Sequence, residues 1–158
     1  MYTKVDQPVK ALEVLEAAMA RAAAKAAPCV PLALHAARIH EALGATDTMA
    51  SLLRQVLQHD ACNMEAIALL AAHHHQMQQP EVAAVMYTRL LQLGHTAPEV
   101  WCNLGLASAA ADRLETCLWA YQRALAASGD DGTKADLWYN VGHVAIGALF
   151  TLYYTNDR

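Results

Sequence analysis

Apolar residues recur three and four positions apart along almost the whole chain, and each run stops at a proline, a glycine or a short polar stretch. That spacing gathers them on one face of a helix of about 3.6 residues per turn. The first run opens at Pro8 and continues to about Lys25. Proline is tolerated at a first helical position because its missing N–H had no partner there. Pro28 and Pro31 mark the next break. Further helices are predicted from about Leu32 to Leu43, ending at Gly44, from Asp47 to His59, from Met64 to Met77, and from Pro80 to a stop at Gly94. Thr96 and Glu99 have the spacing of a capping box ahead of the next helix. Asp112 is predicted to cap the helix that ends before "SGDDG", and Thr133 with Asp136 repeats the Ser/Thr-x-x-acid start signal. No run alternates β-branched and polar residues, so no sheet is expected.

The helices come in pairs, and the pairs repeat. Trp101, Leu104, Gly105, Cys117, Tyr121 and Ala124 form a template. Thirty-four residues earlier stand Ile67, Leu70, Ala71, Ala83, Tyr87 and Leu90; a second step back reaches Ala33, Ala36, Ala37, Met49, Leu53 and Val56. A step forward of 37 reaches Trp138, Val141 and Gly142. Small residues at Gly105, Ala71, Ala37 and Gly142 are expected to let two helices approach closely, with Tyr121 or Tyr87 filling the space beside them. One hairpin cannot bury its apolar face alone, so such units stack.

The order W-x2-L-G, then a small residue, an aromatic four later and an alanine three after that resembles the tetratricopeptide repeat, over about residues 7–147. Ser108 stands where that family prefers tyrosine, and Gly129 where it prefers proline. The resemblance implies an all-α fold: a tetratricopeptide-repeat array of helical hairpins, a right-handed α-solenoid of about four partial or complete repeats. Residues 1–158 read as a single array. Its parts are a half repeat at 1–27, a degenerate repeat at 30–63, repeats at 64–97 and 98–131, and an incomplete repeat at 133–158 with a divergent tail.

"DQPVKAL", "ARIHEAL", "EAIALLAAHH", "QPEVAAVMYTRLLQLG", "NLGL", "WAYQRAL" and "DLWYNVGHVAIG" follow one another in that order. Within the repeat family they resemble the tetratricopeptide-repeat subunits of the BBSome, a coat-like complex that carries membrane proteins into and out of cilia. The resemblance implies a protein–protein interaction scaffold whose partners are other subunits of such a complex, at the cilium or its basal body. The match starts inside a repeat and ends in "ALFTLYYTNDR", where the family has a polar turn and a second helix, so a fragment or truncated product is expected.

Composition narrows the picture. Charged residues make up 16% of the chain and apolar ones 56%, against about 25% charged in an ordinary soluble domain. A surface so poor in charge is often covered by something else. The net charge of −4 argues against a nucleic-acid partner, which usually requires a basic face. No signal or transit pattern opens the chain, and no two of its four cysteines form a CxxC pair, which suits a reducing, cytoplasmic compartment. "WYNVGHVAIGALFTLYY" is apolar, but Asn140 and His143 interrupt it and it is short of a membrane span of about 20 apolar residues.

No arrangement of residues in the sequence points to catalysis or metal binding. His73, His74 and His75 are consecutive and point about 100° apart on a helix, so they cannot converge on one metal ion. Cys117 occupies a small-residue core position, and no base, nucleophile elbow or phosphate loop is present. No catalytic residue, cofactor or metal is expected. What remains is the face formed by first helices. Asn103 and Asn140 recur there, able to hold an extended backbone by donating and accepting at once. Glu65, Glu99 and Asp136 recur one per unit, joined by Tyr139 and His143. A stand-alone peptide-binding adaptor of the co-chaperone type is the alternative, but the cationic carboxylate clamp of such adaptors is absent. Trp119 lies outside the core template, as a partner contact or as packing for the next unit. Leu149, Phe150, Leu152, Tyr153 and Tyr154 crowd the tail, so self-association through open repeat ends is expected.

Overall fold

Gly44, Gln78 and Asp112 stand 34 residues apart, and all three adopt left-handed backbone, with φ of 75°, 57° and 54°. Each closes a hairpin in the same way. The N–H of Gly44 donates to the Glu41 carbonyl and that of Ala45 to His40; Gln78 and Gln79 donate to His75 and His74; Asp112 and Arg113 donate to Ala109 and Ser108. This paired arrangement satisfies carbonyls that the end of a helix leaves open. The 34-residue register is therefore written in the backbone as well as in the apolar residues.

The computed structural model describes residues 6–24 and 29–155, with side-chain surroundings over 8–22 and 29–147. Among the described residues there are eight helices and no strand: α1 (Asp6–Ala24), α2 (Val30–Ala42), α3 (Thr46–His59), α4 (Met64–Gln76), α5 (Pro80–Gln92), α6 (Pro98–Ala110), α7 (Leu114–Ala127) and α8 (Asp131–Thr155). The fold is all-α and of tetratricopeptide-repeat type. No described helix is long and apolar enough to cross a membrane.

Three helix starts differ from expectation. Ala97 precedes α6, with Pro98 opening the helix, so Thr96 is not its cap. A proline one residue after Thr96–Ala97 fixes the entry by its own φ, and no side-chain cap bond forms. Asp112 does not cap α7 either: its left-handed φ assigns it to the hairpin turn, and Arg113 takes the capping place. α8 starts at Asp131, two residues before Thr133. Asp130 caps it, accepting from the Thr133 N–H at 2.8 Å and the Thr133 hydroxyl at 2.6 Å. These bonds hold the Asp130 carboxyl below its ordinary value.

Packing divides the chain into two units, Met1–His73 and His74–Arg158, the boundary falling within α4. In the first, α1 packs on α2 and α2 on α3. Ala36, Ala37, Met49, Leu53 and Val56 are buried, as are Ile67, Leu70 and Ala71 of α4. Each large apolar side chain so buried contributes about 1.5–3 kcal/mol. In the second, α5 packs on α6, α6 on α7, and α8 on both α6 and α7. Ala83, Tyr87, Leu90, Trp101, Leu104, Cys117, Tyr121 and Ala124 are buried. A Cβ at Gly105 would sit 3.0 Å from two carbons of the Tyr121 ring. The glycine is there because the ring lies flat against its backbone.

The last repeat departs from the template. Trp138 is 61% exposed, while its neighbour Leu137 is 1% exposed. A Cβ at Gly142 would meet nothing within 4 Å. Trp138 and Gly142 are therefore not core positions here. The reason is α8 itself: it runs unbroken to Thr155, so among the described residues no second helix folds back on the face they occupy. Residues 148–155 continue α8, and the side chains of residues 148–158, on which the expectation of sticky ends rests, lie outside those described.

Candidate partner-binding site

The residues expected along the first-helix face separate into two groups. Glu65 lies in the first unit, where its carboxylate pairs with Arg38 of α2 at 2.8 Å. This pair bridges neighbouring first helices and is exposed enough to be worth about 0.2–1 kcal/mol. In the second unit, Glu99 and Cys102 of α6 meet Asp136 and Asn140 of α8. The Asn140 side-chain amide donates to the Cys102 sulfur at 3.7 Å. Burial pushes the Cys102 thiol above its ordinary 9.0; the Asn140 hydrogen bond works the other way, and the negative charges of Asp136 and Glu99 add to the rise. The thiol therefore stays protonated at neutral pH, which suits a weak acceptor in a contact and not a nucleophile.

Asn103 is half-buried on α6, and Asp136, Asn140 and His143 share one side of α8 by their spacing. Asp136 and His143 are exposed, and Tyr139 is 74% exposed. The structure thus brings Glu99, Asp136 and Asn140 together around Cys102 and leaves Glu65 in a separate unit. Among the described residues no group of His, Cys, Asp and Glu could hold a metal ion.

Trp119 does two things at once. Its ring meets Trp101 edge-on, centroids 5.0 Å apart at 84°, and about half of it remains exposed, 49%. Arg123, one turn on, lies over the Trp101 ring at 5.6 Å. Edge-to-face pairing of this kind contributes about 0.5–1.5 kcal/mol beyond the area it buries.

One feature went unread in the sequence. Between the second helices α5 and α7 lies a cleft of about 340 Å3 lined by Leu104 and Ser108 of α6, with Arg113 at its edge. The signal was present as Ser108, a small residue where the repeat pattern prefers a large one.

No protein-family model matches the chain. Tetratricopeptide repeat protein 8 of Caenorhabditis elegans is 35% identical over 145 residues, covering 92% of this chain and 28% of that protein. Its namesake in Homo sapiens is 35% identical over 147 residues, covering 93% and 26%. The chain is similar in sequence to these tetratricopeptide-repeat proteins, and its fold is of that type. It spans little more than a quarter of the relatives it matches. Solved structures share the fold: MamA aligns with a TM-score of 0.71 over 94% of this chain and 86% of its own, at 15% identity. MamA AMB-1 aligns at 0.69 over 98% and 84%, at 22%. The repeat fold and these relatives support a protein-interaction scaffold.

The raised thiol and phenol values give this repeat chain an alkaline sensitivity. Burial is the leading cause at Cys102, Cys117, Tyr87 and Tyr121. The folded state keeps these protons after the unfolded chain has released them. Their contribution is full below the unfolded value, 9.0 for the thiols, and is lost as pH rises toward the folded values. Thermal midpoints are expected to fall steadily above about pH 9. A midpoint that stays level from about pH 8 to about pH 10.5 would contradict burial of these groups.

Proposed function

We propose that the chain is an assembly subunit of BBSome type, a scaffold for ciliary membrane-protein trafficking and cilium assembly. It docks other subunits of such a complex at the cilium or basal body and works on the cytoplasmic side. The reading rests on the likeness to tetratricopeptide repeat protein 8 and on the α6–α8 surface, where Glu99, Asp136 and Asn140 converge on Cys102. Two acids and two amides offer acceptors and donors to the main chain of an extended or helical partner, and favour one that is basic. The single-array reading of residues 1–158 belongs to the same proposal, as does self-association where no partner covers the exposed Trp138, Tyr139 and Ile146 of α8.

The stand-alone adaptor is the weaker reading. An adaptor for acidic tails needs cations where this surface carries Glu99 and Asp136, and like charge repels.

The decisive experiment is capture of ciliary coat subunits by the tagged chain. The double variant Asn103→Ala with Asn140→Ala is expected to weaken capture while helicity is kept, each lost hydrogen bond contributing about 0.5–1.5 kcal/mol. Undiminished capture by the double variant would remove both amides from the interface. Failure to retain any coat subunit would overturn the assembly reading, and micromolar binding of an acidic chaperone-tail peptide would favour the adaptor.

A further inference from the structure

The cleft between α5 and α7 lies apart from the surface just proposed and has its own chemistry. Leu104 and Ser108 of α6 and Ala84 of α5 line its inner part; Thr116 of α7, Arg89 of α5 and Arg113 stand around it. It encloses about 340 Å3, room for one aromatic side chain with space beside it. Ser108 is 0% exposed, and its hydroxyl has no hydrogen-bond partner among the described residues. Its carbonyl is already engaged, accepting from the Arg113 N–H at 2.8 Å. Buried hydroxyls are normally satisfied, so one left open at a cleft wall points to a group that enters.

The size of the space follows from the repeat. At the same register position the other two hairpins carry His40 and His74, both ring side chains. The third carries serine. It is the smallest of the three side chains, and the cleft beside it has room for a ring. Charge selects what brings the ring. Two arginines line the cleft and no acid does, on a chain whose net charge is −4. Guanidinium groups hold carboxylates through paired hydrogen bonds. Buried aromatic anchors beside such pairs dominate many protein interfaces.

We propose that this cleft is a docking pocket for an aromatic side chain on an acidic segment of a partner protein. The ring enters beside Ser108, and a neighbouring carboxylate pairs with Arg113. A tyrosine fits best, because its hydroxyl can meet the unpaired hydroxyl of Ser108.

Fluorescence anisotropy with the 158-residue chain tests this directly. The probe is a labelled nonapeptide with one tyrosine between glutamates; one comparison peptide replaces the tyrosine by alanine, another replaces the glutamates by lysine. The first is expected to bind at least about tenfold more tightly than either of the others. Arg113→Glu is expected to weaken it by at least about tenfold. Ser108→Tyr fills the pocket from within and is expected to do the same. Arg113 is exposed, so its variant remains decisive even if Ser108→Tyr fails to fold, which circular dichroism reveals. Asn103→Ala with Asn140→Ala leaves peptide binding unchanged, which separates this site from the α6–α8 surface. Equal binding of the three peptides, no binding of any, or full binding by Arg113→Glu overturns the proposal.

Discussion

Gly105→Leu is expected to unfold the second unit or bring it close to unfolding. The ring of Tyr121 is 1% exposed and lies 3.0 Å from where even a single added carbon would go. The obstacle is a buried ring on α7 that must give way by a few tenths of an ångström even for that one carbon. Overpacking of a filled core costs about 1–3 kcal/mol and sometimes more, and leucine adds three carbons beyond the one that already collides. A whole domain is stable by only about 5–15 kcal/mol. Gly105→Ala gives the graded case. Alanine favours a helix interior by about 1 kcal/mol over glycine, and the close ring outweighs that gain, leaving a net loss. Urea titration followed by far-ultraviolet circular dichroism measures both. A Gly105→Leu midpoint equal to that of the unaltered chain would show that Tyr121 does not lie where the structure puts it.

The second large effect distinguishes two adjacent residues. Leu137→Ala is expected to cost about 2–5 kcal/mol, as for other buried leucines. Trp138→Ala, although it deletes a far larger side chain, is expected to stay within about 0.5 kcal/mol, as for exposed positions generally. At this chain length a loss of 1 kcal/mol lowers the melting midpoint by about 2–4 °C, so calorimetry separates the two variants clearly. A larger loss at Trp138 than at Leu137 would restore the register that the repeat pattern suggests.

That contrast shows what was legible in the sequence and what was not. Periodicity located the helices to within a few residues and ruled out strands, because a 3.6-residue stripe and proline or glycine stops are local features. The core of the 98–131 repeat was legible for the same reason. Trp138 was misread because its likeness to Trp101 is a likeness of sequence alone. Trp101 is buried with Trp119 and Arg123 of the following helix against it, and α8 has no such following helix among the described residues. Burial belongs to the neighbour as much as to the residue. The caps were misread on similar grounds: Thr96 and Asp112 are good capping residues by type, but Pro98 and the left-handed turn at Asp112 decided the geometry first. Of the candidate site, the recurrence of Glu99 with Asp136 and of Asn103 with Asn140 on first helices is legible in the register; their meeting around Cys102 and the diversion of Glu65 to Arg38 are not, since no spacing rule relates residues on two different hairpins. The cleft beside Ser108 was visible only as a departure from pattern, and a departure says that space is left without saying what it is shaped to hold.

The shared closure at Gly44, Gln78 and Asp112 bears on how such a chain can change in length. Inserting one residue inside either helix of a hairpin would turn everything beyond it by about 100° and bring polar residues inward. The two steps between these turns have accordingly kept the same length. The one step that differs is the next, from Trp101 to Trp138, or equally from buried Val100 to buried Leu137, and its extra residues fall around Ser128–Asp131, between hairpins. There Ser128 donates to the Ala124 carbonyl, and the paired closure seen at Gly44, Gln78 and Asp112 does not form. Additions and deletions should therefore be harmless between hairpins and ruinous within them, so that the joints, and not the helices, are where lineages of this protein can drift in size.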